Sequence, residues 1–210
     1  VLDQEIVSPT MDKKSKLTGR PRDGRVSDAL LRVTLLELAA AGYLGTTVAG
    51  VARRAATSKQ AIYRRYRDKN ALVAAALAHG FEAVRTEPPL RGSVAEDLRR
   101  YLSGLATALA ETPLGAAVRA LASYRQKPEF AVVFDEAETG QRLALRQILI
   151  ATPFEADMET RIDLLLGQLY FSLVFHGDIL NADDIETSIH LVLGLVAPRD
   201  PAPFSGLPGT

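Results

Sequence analysis

From Thr46 to Tyr66 the chain reads TTVAGVARRAATSKQAIYRRY, and no other stretch restricts the possible folds as much. Val48, Val51, Ala52 and Ala55 recur at i, i+3, i+4 and i+7, the apolar stripe of a short helix. Thr46 or Thr47 stands where such a helix wants an N-cap, a side-chain oxygen that accepts from the orphan N–H groups of the first turn. The stripe breaks at Ala56 and Thr57. Ser58 then caps a second short helix, with Ile62 and Tyr66 turned inward and Lys59, Gln60, Tyr63 and Arg64 on the other face. Two short helices on a tight turn, the second carrying cationic and hydrogen-bonding side chains outward, is the pattern of a helix-turn-helix.

The flanks read as helices too. Leu30, Leu31, Val33, Leu35 and Leu38 give a helix from Ser27 to Ala41 a broad apolar face, and Gly42 ends it. Asp68 caps a helix from Lys69 through Leu72, Val73, Ala76 and Leu77, which stops before Pro88 and Pro89. Beyond, the spacing predicts a helix capped by Ser93 that ends before Pro113, then helices from Leu114 to Tyr124, from Pro128 to about Leu149, from about Glu155 to His176 and from Ala182 to Ala197. No alternating strand pattern and no internal repeat is visible. The expected fold is all-α with about nine helices: a mobile basic arm over residues 1–25, a helix-turn-helix unit over 26–70, a helical body over 71–198 and a tail over 199–210.

Charge supports that division. The net charge is zero, yet residues 1–80 hold 14 Lys and Arg against 7 Asp and Glu, and residues 81–210 hold 11 against 18. A head at +7 on a body at −7 suits a polyanion partner at one end only. In the arm, Lys16, Arg20, Arg22 and Arg25 lie among Gly, Ser, Thr and Pro, and are read either as a minor-groove tail or as solvated chain. The absence of cysteine excludes disulfides, thiolate catalysis and cysteine-ligated zinc. The first residues lack the apolar core of a signal peptide. The longest apolar stretch, Leu164 to Phe175, falls short of the roughly 20 residues that span a bilayer. A cytoplasmic protein with no membrane partner is expected.

Catalysis finds little support. His79, His176 and His190 fall in no metal-ligand spacing, and no nucleophile-elbow, phosphate-loop or dinucleotide motif is present. No cofactor or metal is expected, and a small helical enzyme is the remote reading. The last two helices are apolar around more of their circumference than one contact requires. They are either central in the monomer or paired with a second copy. Pairing is the expectation, through Leu165, Leu169, Leu173, Ile185, Ile189, Val192, Leu193 and Val196.

Residues 25–80 resemble the DNA-binding head of the TetR family of bacterial transcriptional regulators. The resemblance rests on Leu35 through Gly42-Tyr43, Thr46-Thr47-Val48, Val51-Ala52, Ala55, Ser58-Lys59, Ile62-Tyr63, Tyr66, Lys69 and Leu72. Residues 164–180, with the helix after them, are similar to the two helices that dimerise in many members. Two positions depart from the pattern: Ala56 stands where glycine is usual in the turn, and Gln60 where a small residue is usual.

The resemblance implies a homodimer on a palindromic DNA operator, released by a small-molecule effector. Thr47 and Tyr63 would hold phosphates, Lys59, Gln60 and Ala61 would meet base edges, and Lys69 would take a further phosphate. Arg64 adds charge beside them. Tyr101, Leu105, Tyr124, Phe134, Phe171, Phe175 and His176 would line the effector pocket, each with ordinary core as its alternative. The acidic residues Asp135, Glu136 and Glu138 would either draw a cationic ligand or form a solvated face. A DNA-binding activator or adaptor without an effector is the competing reading.

Overall fold

The computed structural model describes residues 20–84 and 89–195, with side chains from residue 26 onward. Lys16, Val196 and the tail lie outside the described residues. Nine α-helices follow one another, and no strand occurs among the described residues. Helix α1 spans Arg20–Gly45 and is broken at Gly42, where the backbone turns to φ 67°, ψ 178°. Residues 20–25 are therefore helical, where an arm was expected; Pro21 is compatible with a first turn because its missing N–H is an orphan there anyway. Helices α2 (Val48–Arg54) and α3 (Lys59–Tyr63) form the motif, and α4 (Lys69–Glu82) follows.

The body contains α5 (Val94–Glu111), α6 (Pro113–Leu121) with a 3-10 turn over Ala122–Tyr124, α7 (Pro128–Leu149), α8 (Met158–Phe171) and α9 (Ala182–Leu193). Two ends differ from the expected ones. Turns over residues 151–157 delay α8 to Met158. Gly194 adopts a left-handed conformation (φ 67°) that terminates α9 before Ala197. The π turn Ser172–His176 prolongs α8 to Gly177, which is also left-handed. Gly115 is required by proximity: a Cβ there would lie 2.1 Å from the carbonyl oxygen of Leu109, so α5 and α6 close on each other only with hydrogen at that position.

Burial divides into two clusters. Leu30, Val48, Val51, Ala52, Ile62 and Leu72 form the small core of the head. Leu35, Leu38, Tyr43, Val73, Ala76 and Leu77 join the large core of the body. Helices α1 and α4 thus serve both units, and no boundary passes cleanly near residue 70. The wall of the body and the foundation of the head are the same two helices.

Candidate nucleic-acid interface and body cavity

The motif is built by local hydrogen bonds. Oγ1 of Thr47 accepts from the Gly50 N–H at 3.0 Å, which settles the cap of α2 on Thr47, while Thr46 is buried and donates to the Gly42 carbonyl at 2.8 Å. At the end of α2 the Thr57 N–H reaches the Ala52 carbonyl (2.9 Å) and the Ala56 N–H the Arg53 carbonyl (3.3 Å). These two bonds define a Schellman turn whose left-handed residue is Ala56, at φ 49°. Ser58 Oγ then caps α3 by accepting from the Ala61 N–H at 3.1 Å. The departure from glycine leaves the turn geometry intact and places the strain on alanine.

Four of the residues expected at DNA surround one notch. Thr47, Lys59, Tyr63 and Lys69 line it together with Thr46 and the exposed Leu44. Since Thr47 uses its oxygen as an acceptor in the cap, its O–H remains a donor for a phosphate. Gln60 on α3 and Arg64 at its C-cap are exposed outside the notch, and Ala61 is half-buried on α3. The Arg20, Arg22 and Arg25 positions lie on α1. Two further arginines are engaged by the protein itself: Arg54 pairs with Glu37 at 3.2 Å, and Arg67 with Asp68 at 3.0 Å and with Glu129 of α7. Tyr66 is half-buried against the head core, and burial raises its phenol pKa.

Lys69 connects the notch to the body. Its ammonium lies 4.2 Å from the Tyr43 ring centroid, and Lys127, just before α7, lies 5.0 Å from the same centroid. Burial, and then the charge of Lys127, hold the Lys69 amine below its ordinary range. The Tyr43 hydroxyl donates to Asn70 at 2.5 Å and accepts from Lys127 at 3.1 Å. Tyr124 packs on Tyr43 with centroids 4.4 Å apart, so this expected pocket residue sits at the head–body junction instead. Nothing in the local sequence marks Tyr43 and Lys127 as partners across 84 residues.

The body holds two neighbouring cavities. One of about 340 Å³ lies between α4, α6, α7 and α8, walled by Phe81, Val118, Phe134 and Leu166, with Gln141 and Tyr170 as its buried polar groups. The other, about 280 Å³, includes Tyr101 and Leu105 and shares Phe81 and Gln141 with the first. Phe134, Tyr101 and Leu105 are therefore at cavities. Phe171, Phe175 and His176 are not in either: the phenylalanines are 52% and 73% exposed, stacked 4.9 Å apart, with His176 edge-on to Phe171. Asp135 and Glu138 are engaged by Arg125 at 2.9 and 3.3 Å, while Glu136 is exposed and lines the second cavity.

The residues expected at a dimer interface need correcting as well. Leu165, Leu169, Leu173, Ile185, Ile189, Val192 and Leu193 are all buried within the single chain. Helices α8 and α9 carry two apolar faces, and the larger one is turned into the body core. The outward face is a different set: Leu164, Phe171, Leu191 and Leu195, the last two 76% and 48% exposed. Among the described residues no group of three or more His, Asp or Glu could hold a metal ion, and no helix is long and apolar enough to cross a membrane.

A helix-turn-helix head sharing two helices with a larger, cavity-bearing helical body defines the class of helix-turn-helix transcriptional regulators. Residues 30–76 match the model of the bacterial regulatory proteins of the TetR family, and residues 88–192 that of the tetracyclin repressor-like C-terminal domain. The chain belongs to the TetR family. A search of curated proteins finds no match. Solved structures share the fold. A TetR-family regulator from Streptomyces coelicolor superposes with a TM-score of 0.68 at 17% identity, covering 82% of this chain and 80% of that one. A regulator from Rhodococcus sp. Rha1 gives 0.62 at 20%, covering 82% and 99%. AibR, in complex with isovaleryl coenzyme A and operator DNA, gives 0.61 at 14%, covering 79% and 97%.

Proposed function

We propose that this TetR-family regulator is a ligand-responsive repressor. It binds a palindromic operator as a homodimer and leaves it when a small molecule occupies the body. The observation that carries the reading is α4: one rigid helix with Lys69 at the DNA notch and Phe81 in the cavity wall. The two residues are twelve apart, about 18 Å along a helix. A ligand that displaces Phe81 tilts α4 and with it the notch. AibR, of the same fold, is a protein in which a small molecule and operator DNA both find a site. The proposed role is regulatory and not catalytic.

In this proposal Thr47, Tyr63 and Lys69 hold phosphates, whereas Lys59 and Gln60 read base edges, Gln60 by pairing bidentately with adenine. Dimerisation uses the outward face of α8 and α9. The test is selection of bound fragments from genomic DNA, followed by titration of the enriched fragment and of random duplex. Tyr63→Phe with Lys69→Ala is expected to weaken both duplexes alike. Gln60→Ala is expected to weaken the enriched fragment alone. Equal binding of enriched and random DNA by the native chain would remove the operator from the proposal.

A further inference from the structure

The chemistry of the larger cavity names a class of ligand. Its interior is mostly apolar, and Phe81 and Phe134 meet edge-to-face in its wall with centroids 6.3 Å apart. Charges stand only at its mouth, and each is already matched. Arg125 binds Asp135 and Glu138, and its guanidinium lies 5.8 Å from the Phe134 ring centroid. Arg142 binds Glu138 at 3.0 Å, Glu159 at 3.4 Å and also Asp163. An anionic ligand would have to take an arginine from its carboxylates, and a cationic ligand a carboxylate from its arginines. Neither exchange gains a net counter-charge, and an ion placed in the apolar interior gives up its own hydration.

Inside the rim one polar pair remains. Gln141, nearly fully buried, donates through Nε2 to the Tyr170 hydroxyl at 2.6 Å. That bond uses the phenol oxygen as acceptor. The phenol's own proton has no acceptor among the described residues, and burial raises its pKa against the opposing pull of the Gln141 bond, so the proton stays on at neutral pH. A donor held in place by a buried amide, at the edge of an aromatic-lined cavity, asks for a neutral acceptor.

We infer that the cavity takes an uncharged, mainly apolar and preferably aromatic molecule whose carbonyl or ether oxygen accepts a hydrogen bond from Tyr170. The inference rests on the reading of this cavity as the effector site, and deepens it. The ring lies against Phe81 and Phe134, while the oxygen completes the Gln141–Tyr170 pair. The matched rim is left undisturbed.

The test uses four probes on one ring frame with the full chain: 2-acetylnaphthalene, naphthalene, 2-naphthoate and 2-naphthylmethylammonium. Binding is measured by calorimetry on the protein alone, and release of the enriched operator fragment is measured separately by fluorescence anisotropy. The ketone is expected to bind at least tenfold more tightly than either ion. Tyr170→Phe is expected to weaken the ketone about five- to tenfold and leave naphthalene unchanged. Phe134→Ala is expected to weaken ketone and naphthalene together. An ion that binds as tightly as the ketone, or a ketone indifferent to Tyr170→Phe, overturns the inference. So does failure of the ketone to bind. The two readings separate cleanly: tight ketone binding without DNA release keeps the ligand class and ends the effector reading, while release of DNA by an ion alone does the reverse.

Discussion

Ala56 sits at φ 49°, where an L residue's Cβ crowds the next carbonyl, so the motif's turn stores a cost of about 1 kcal/mol. Ala56→Gly removes the clash without touching the Schellman hydrogen bonds. We expect it to raise stability by about 1 kcal/mol, visible as a higher midpoint in thermal or denaturant unfolding; an unchanged or lower midpoint would show that the turn is relaxed with alanine. Lys69 makes a second prediction at this scale. Its amine pKa is held below its ordinary range in the free protein, and a phosphate in the notch favours the charged form and raises it again. The DNA complex therefore binds more protons than its parts. As pH rises from neutral towards about 10, affinity should fall earlier than in Lys69→Arg, which stays charged throughout. Parallel pH profiles for the two proteins would disconnect Lys69 from the phosphate.

Individual elements owe their ends to side chains that only partly announce themselves. The caps Thr47, Ser58 and Asp68 are local signals, and each accepts from the backbone three residues on. Helix α5 is different. Ser93 stands at its N-cap but makes no side-chain cap bond. The approach to the helix is instead held by Asp97, buried at 4% exposure, whose carboxylate accepts from the Leu90 and Arg91 N–H groups of the preceding connection at 2.8 and 3.0 Å and from Arg100 at 2.7 Å. This carboxylate ties the connection after α4 to the body. Asp97→Ala leaves two amides and a guanidinium without it, and is expected to cost about 3 kcal/mol in denaturant unfolding. Ser93→Ala should cost a few tenths at most. Equal costs for the two would show that the buried Asp97 bonds contribute no more than the Ser93 hydroxyl.

For the whole molecule, the decisive fact is which side of α8 and α9 remains uncovered. Leu164, Phe171 and Leu191 line an exposed groove between the two helices, and Leu195 is exposed just past the end of α9. Leu164→Glu with Leu191→Glu places charge in that face while sparing the core. We expect a folded monomer in sedimentation at micromolar concentration, with palindrome affinity lost and single-head affinity for random duplex retained. A dimer that survives both substitutions uses another surface. In contrast, Leu169→Glu should unfold the chain, because Leu169 is fully buried within it.

What the sequence by itself determined is whatever depends on neighbours within about one helical turn. The stripe of Val48, Val51 and Ala52, the caps, the stops at Gly42 and Gly177, and the outward set on α3 were all legible because helices are built from i to i+4 contacts. As DNA contacts, Thr47, Lys59, Tyr63 and Lys69 were singled out through the resemblance to the TetR family and not through local spacing; they belong to three successive helices and fall around one notch. Only the tertiary structure decided between the two apolar faces of α8 and α9, since both have helical spacing and periodicity does not say which one meets the core. The same holds for the meeting of Tyr43 with Lys127, the move of Tyr124 to the junction, and the matched ion pairs that close the rim over Gln141 and Tyr170. Each joins residues far apart in the chain, and their meeting is set by how helices pack, which no local pattern encodes.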